Sequence, residues 1–241
     1  MDFISSKARV KGFLEGENVV LGPSAIGVNS LIGRNVIVGY PVRKSVQTVT
    51  FTREFSIRKF DKLSRGAKIG RNCIIRSGTV VYEAASIGNW VETGHNVLIR
   101  EGSVIGDKTR IGSSAQLDGT VKMGRNVSVQ SNVYLPHLTV VEDDVFLAPN
   151  VVLTNDPYPP SQRRLGIVIE KGAVVGANAI IVARVKIGEG SVVSAGAVVT
   201  ENVSPHMVMV GAPARVYTTR EEYDKKRVKW EKSGERKHGI R

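Results

Sequence analysis

An aliphatic residue stands at every sixth position through the middle of the chain. Ile69, Ile75, Val81, Ile87, Thr93, Ile99, Ile105, Ile111, Leu117, Met123, Val129, Leu135, Val141, Leu147 and Leu153 keep one phase without an insertion, and only Thr93 is not aliphatic. Four places after each, as far as Leu147, comes a small or β-branched residue, from Cys73 and Thr79 to Val145 and Val151. A helix does not produce this spacing, because apolar positions on one helical face recur at three and four, whereas short strands joined by sharp corners do. The positions one and three after the aliphatic residue are rich in Gly and Asn, as at Gly88, Gly106, Gly124, Asn96, Asn126 and Asn132. Those residue types tolerate the positive φ of a tight corner. Each hexad is therefore read as one face of a prism and three hexads as one eighteen-residue coil, with a core that only stacked coils can bury.

Two more blocks share this grammar: Val20, Ile26, Ile32, Val38 before it and Ile169, Val175, Ile181, Ile187, Val193, Val199 after it. The first breaks at Gly39-Tyr40-Pro41, and residues 41–68 are out of phase and rich in Thr, Arg and Lys. They are expected to form an excursion loop with one hairpin. The Pro-rich stretch Thr154-Asn155-Asp156-Pro157-Tyr158-Pro159-Pro160 opens a second loop, 154–168, that must leave the prism. The expected organisation is thus a repeat domain over 1–216, carrying the 41–68 insertion and the 154–168 loop, and a charged helical tail over 217–241.

Composition narrows the class. With 41% hydrophobic and 23% charged residues the chain is too polar for a membrane span. Asp2, Lys7, Arg9, Lys11, Glu15 and Glu17 interrupt the first twenty residues, so a secretory leader is not expected and a cytoplasmic location is. The net charge of +12 permits nucleic-acid binding or phosphate-bearing small ligands. The basic residues are spread through the repeats and thicken in the tail, with no aromatic-flanked basic run of the kind that stacks single strands, which disfavours nucleic acid as a partner. Cys73 is the single cysteine and occupies an inward position, so a buried, inert thiol is expected.

The hexads, the loop after Leu153 and the segment Val210-Gly211-Ala212-Pro213-Ala214-Arg215 together resemble the hexapeptide-repeat acyltransferases over about residues 20–216. That resemblance implies an all-β, left-handed parallel β-helix; the six-residue period itself does not reveal the hand. Gln130-Ser131-Asn132, Glu142-Asp143-Asp144 and Thr154-Asn155-Asp156-Pro157-Tyr158-Pro159 look most like the branch that acylates the amino group of nucleotide-linked amino sugars. The resemblance further implies a homotrimer with acetyl-CoA, as co-substrate, lying between neighbouring prisms. It also implies that Asn132 helps to hold the acceptor amine.

An amine attacking a thioester must be unprotonated, and its tetrahedral oxyanion needs donors. Few residues offer a base of suitable pKa: His238 lies in the charged tail, and His95 and His137 stand at coil corners. One coil beyond His137 comes Asn155, which brings the imidazole beside the Thr-Asn-Asp loop. His137 is read as a base or substrate contact, with a surface corner histidine as the other reading, and His95 as a substrate contact. Asn155 and Asp156 suit sugar hydroxyls or an amine, and equally an Asx turn before Pro157. Ala177 and Ala195, one coil apart, leave room for a pantetheine arm, and Lys186 and Arg215 are candidate phosphate partners.

Three other functions stay open. An O-acetyltransferase would need a stronger base, because a hydroxyl must lose its proton. Zinc-dependent carbonic anhydrases use the same prism with three converging histidines, but the spacing of His95 and His137 and the absence of a His-x4-His pair speak against a metal site. A non-enzymatic scaffold would use a flat prism face as its interaction surface.

Overall fold

The computed structural model describes residues 1–52 and 56–234. The chain winds as a left-handed parallel β-helix whose strands, most of them two residues long, form three sheets of 10, 9 and 11 strands. We call these faces A, B and C, in the order the chain visits them. Successive coils pair in parallel at a separation of one coil, as in Leu98↔Gln116 and Gln116↔Tyr134 on face A or Arg110↔Ser128 on face C. The inward residue of every strand from Val20 to Val199 is buried, and together these residues fill one continuous shaft. Corner residues take the left-handed conformation, including Asn96, Ser114, Asn132 and Asn150 at φ 56, 59, 60 and 61 down one edge. Cys73 is fully buried, its thiol 3.1 Å from the Gly88 carbonyl oxygen, and burial pushes that thiol up from its ordinary pKa.

The one polar residue of the inward series has a local explanation. Arg76 donates from its guanidinium to the Thr93 carbonyl oxygen at 2.7 Å, and the Thr93 hydroxyl accepts the Arg76 backbone N–H at 3.0 Å. A hydroxyl therefore stands in for the ladder carbonyl that the arginine has taken, and a buried Thr is fully satisfied.

Three features depart from the sequence reading. The prism begins at Phe3–Ile4, one coil before Val20. Its inward residues Val10 and Leu14 are four apart rather than six, since Lys11 and Gly12 make a shortened corner, and this hides the phase. Residues 41–68 hold two helices, α1 (Arg43–Thr52) and α2 (Ile57–Leu63), where a hairpin is expected; residues 53–55 of this stretch lie outside the described residues. The β-branched run of α1 favours a strand by propensity. Packing reverses that preference: Val49 is buried, and Phe60 of α2 sits 6.0 Å from the Tyr40 ring, itself 5.1 Å from Tyr82. Ser56 caps α2 by accepting the Lys59 N–H, and the buried Glu83 carboxylate accepts Val42 N–H and Arg65 N–H, holding both roots of the excursion.

The second loop leaves from the same A/B edge five coils further on, between Leu153 and Val168. At the far end, Met207–Val210 adds to face C and pairs antiparallel with Arg215–Thr219, which leads into helix α3 (Arg220–Gly234). This hairpin closes the shaft behind Met209 and Ala214, both buried. The tail beyond Gly234 lies outside the described residues.

Leu117 is fully buried between Ile99 and Leu135 of the neighbouring coils. Leu117→Ala is expected to cost about 2–5 kcal/mol, because stacked coils have little freedom to collapse into the void. Val104→Ala on the open side of face B should cost less than about 0.5 kcal/mol. Urea unfolding midpoints of the two variants check the difference.

Candidate active site

His137 stands on the A/B edge in the corner Pro136-His137-Leu138-Thr139, which is closed by the Thr139 hydroxyl donating to the Pro136 carbonyl at 2.7 Å. Its half-buried ring places Nδ1 3.0 Å from Thr120 Oγ1 of the preceding coil. With the proton on Nδ1 and donated to that hydroxyl, Nε2 keeps a free lone pair, the form a base requires. Gly119, at φ +83°, lies under the ring. A Cβ there would sit 3.6 Å from His137 Nδ1 and 3.7 Å from the Glu101 carboxyl carbon, so the missing side chain leaves a gap between carboxylate and imidazole.

Beside this corner runs a polar ridge that the sequence reading does not single out. Arg100 donates to Asp118 at 2.6 Å and to both Glu101 oxygens at 2.8 and 3.1 Å, and Tyr134 donates its hydroxyl to Asp118 at 3.2 Å. The Arg100 guanidinium also lies 5.6 Å from the Tyr82 ring centroid. Burial, followed by the Asp118 carboxylate, pushes the Tyr134 phenol up, so it stays a neutral donor. Two carboxylates share the Arg100 guanidinium next to His137, and the Arg164 guanidinium of the loop also acts on Tyr134. Arg100 and Asp118 stand one coil apart in sequence, and that spacing is the signal that would have found them.

The loop over this edge is shaped by Asp156. Its carboxylate accepts Tyr158 N–H at 2.9 Å, Ser161 N–H at 2.7 Å and the Ser161 hydroxyl at 2.8 Å. The Ser161 amide leads in holding this carboxyl below the usual carboxylate range. Both oxygens thus serve the loop's own turn, the Asx-type role. The register Tyr134↔Val152 carries Asn155 to the coil position beyond His137, and the Asn155 carbonyl accepts Leu165 N–H at 2.8 Å.

His95 and Asn132 lie on a different edge, between faces C and A. His95 is exposed and its backbone N–H donates to Ser113 Oγ at 3.1 Å; Asn132 is exposed and donates to Asn150 Oδ1 at 3.1 Å. His95 and Gln130 line a groove of about 550 Å³ along the outside of face C. Ala177 and Ala195 continue the same edge in successive coils, joined by the Gly196 N–H donating to the Ala177 carbonyl. Within one chain His137 and Asn132 occupy opposite ends of the strand Tyr134–Leu135 and do not meet. Lys186 lies on face B, 2.7 Å from Glu170, and Arg215 lies in the terminal hairpin, donating to the Ala214 carbonyl at 2.9 Å. Lys186 does not join the alanine edge, whereas Arg215 pairs with Val210 in the hairpin that stacks on the coil of Ala195. Among the described residues no three His, Cys, Asp or Glu side chains converge as a metal site, and no helix is long and apolar enough to cross a membrane.

A continuous hexad shaft with polar corners defines a hexapeptide-repeat β-helix protein. Family profiles agree: "Bacterial transferase hexapeptide (six repeats)" matches residues 166–201 and "Hexapeptide repeat of succinyl-transferase" matches residues 103–136. The bifunctional protein GlmU of Thermotoga sp. (strain RQ2) is 28% identical over 219 residues, which are 90% of this chain and 38% of that protein. This chain therefore spans less than two fifths of that relative's length. The 2,3,4,5-tetrahydropyridine-2,6-dicarboxylate N-acetyltransferase of Enterococcus faecalis is 46% identical over 65 residues, 27% of each chain. The solved structure of UDP-N-acetylglucosamine acyltransferase from Campylobacter jejuni superposes with a TM-score of 0.63 at 18% identity, covering 90% of this chain and 76% of that one, a likeness of fold. The chain thus carries hexapeptide repeats and is similar to acyltransferases built from them.

Asp156→Ala should loosen the loop without unfolding the prism. Limited trypsin digestion, with cleavage after the exposed Arg163 and Arg164, is expected to speed up several-fold while the far-UV circular dichroism stays unchanged. Because the Asp156 carboxyl is held low, its contribution is fully present above the ordinary aspartate range and is lost as pH falls through the lowered value.

Proposed function

We propose that the protein transfers an acetyl group from acetyl-CoA to the amino group of a nucleotide-linked amino sugar. The observation that carries this reading is the pairing of His137 with Thr120 beside the Glu101 and Asp118 carboxylates, under the loop that carries Asn155. An amine is an acceptor that the Glu101 and Asp118 carboxylates suit, and an imidazole with a free Nε2 removes its proton. Asn132 holds the acceptor amine from the C/A edge. Ala177 and Ala195 give the pantetheine arm a flat approach to backbone amides. The family resemblance and the N-acetyltransferase relative support the choice of chemistry. The same reading places the reaction in the cytoplasm.

His137 and Asn132 sit at the two rims of face A, so one site that uses both draws them from two chains. The outward row of face A supports such an assembly. Phe3, Val19, Ile37, Val80, Leu98, Tyr134, Val152, Ile180 and Val198 are apolar or aromatic, and Gln116 alone is polar. Val19 and Ile37 share a hollow with Ile57 and Phe60 of α2, whereas Val152 at 37% and Ile180 at 39% stay exposed, and that part of the stripe calls for cover. We propose a homotrimer that buries it. Ile180→Asp is expected to shift the mass measured by light scattering from trimer to monomer, and a monomeric wild type would contradict the assembly.

Purified protein mixed with acetyl-CoA and a panel of nucleotide-linked amino sugars is expected to release free thiol. Release with no amine acceptor would remove the reading. O-acetylation is the second reading, favoured by the ordered His137–Thr120 pair, since a hydroxyl depends on a base more than an amine does. A positioned base contributes roughly 10²–10⁴-fold. His137→Asn should therefore abolish transfer to a hydroxyl and leave a measurable part of transfer to an amine, with the residual rate rising with pH as more amine loses its proton.

A further inference from the structure

The groove along face C carries charge and an aromatic surface that the transfer chemistry above does not use. Its floor is the outward row Glu92, Arg110, Ser128 and Phe146, set in register on four successive coils by Glu92↔Arg110, Arg110↔Ser128 and Ser128↔Phe146. At one end Arg76 lies 3.7 Å from Glu92 and donates to the Thr93 carbonyl, so those two charges cancel. Arg110, one coil on, is exposed and has no ion pair or side-chain hydrogen bond among the described residues. It leaves one uncompensated guanidinium, with five donors, on the groove floor. Phe146 is 37% exposed although it lies on a solvent-facing row. Between them Ser128 Oγ accepts from Gln130 Nε2 at 3.1 Å, which keeps this stretch flat and polar.

Neighbouring strands lie about 4.8 Å apart, so the two coils from Arg110 to Phe146 span about 10 Å. That distance is comparable with the reach from a nucleobase to its own diphosphate. We propose that this strip anchors the nucleoside diphosphate part of the acceptor, with the Phe146 ring stacking on the base and Arg110 binding the diphosphate oxygens. Aromatic faces accept any base, and a guanidinium matches phosphate oxygens bidentately. Phe146 lies one coil and Arg110 three coils before the coil of Ala177; the proposal gives the strip to the acceptor, and competition with the coenzyme tests that assignment. The inference rests on the nucleotide-linked acceptor proposed above and extends it to the residues that select the nucleotide.

Calorimetric titration of the full chain with UDP, dTDP and GDP, in the absence of coenzyme, tests it. At least one is expected to bind. Arg110→Gln should weaken that binding roughly 10- to 100-fold, as loss of a charge-assisted contact does. Phe146→Ala should weaken it about tenfold, with Phe146→Tyr restoring it. The unphosphorylated nucleoside should bind weakly and be indifferent to Arg110→Gln. Circular dichroism of each variant confirms that the prism is intact. Absence of binding by all three diphosphates, or binding that both variants leave unchanged, overturns the proposal. Competitive displacement of the diphosphate by coenzyme A overturns it as well, by giving the strip to the coenzyme. Thiol release with an unphosphorylated amino sugar alone would leave acetyl transfer standing and remove this site. Tight, Arg110-dependent diphosphate binding without any thiol release would do the reverse.

Discussion

One constraint governs this molecule: every sixth side chain must fill a shaft that no single coil can close. The three short strands of one coil do not pair with each other; apart from short corner bonds such as Ala115 N–H to the Gly112 carbonyl, their N–H and C=O groups bond to the coils before and after. The aliphatic residue at each inward position touches its equivalents above and below, and burial is complete from Val20 to Val199. The corners follow from this demand. A chain that turns sharply between two-residue strands needs a left-handed residue at each edge, and Asn96, Ser114, Asn132 and Asn150 supply it down one of them.

The same geometry decides where chemistry sits. Because the shaft is apolar, polar groups gather on the faces and edges, and residues one coil apart become neighbours about 4.8 Å from each other. Arg100 with Asp118, His137 with Thr120 and Asn132 with Asn150 are all products of that rule. A rigid edge fixes such groups with little loss of entropy, which suits a site that works by alignment. Irregular segments are confined to one edge: the helical excursion 43–63 and the loop 154–167 both leave between faces A and B. Glu83 ties down the first from its roots, and Asp156 organises the second from within.

How much of this is legible in the sequence depends on whether the hexad phase survives. From Ile69 to Leu153 the phase is unbroken, and the prism, its faces and the position of the second loop follow directly. The first coil is hidden because the corner between Val10 and Leu14 is two residues short. The helices of the excursion are hidden because Val46, Thr48, Val49 and Thr50 favour strand locally, and the packing that overrides them, Phe60 on Tyr40, is tertiary. The polar ridge was readable in principle, since Arg100 and Asp118 share a coil position, but ionic partners carry no hydrophobic periodicity to draw attention to them. The site residues separate for a similar reason. His137 and Asn132 are five apart in sequence, yet an intervening strand sends them to different edges. Asp156 keeps both meanings in sequence, and hydrogen bonding inside the loop gives it a structural one.

The most direct test of the coil register is deletion of one complete coil. Removing residues 104–121 joins Ser103 to Lys122, two positions that the parallel register Val104↔Lys122 makes equivalent. The account predicts a shorter protein that still unfolds cooperatively and keeps its β-sheet circular dichroism. The same deletion shortened by two residues should give an unfolded or aggregated chain, because every inward side chain beyond the junction loses its place in the shaft. Equal behaviour of the two deletions would contradict the account.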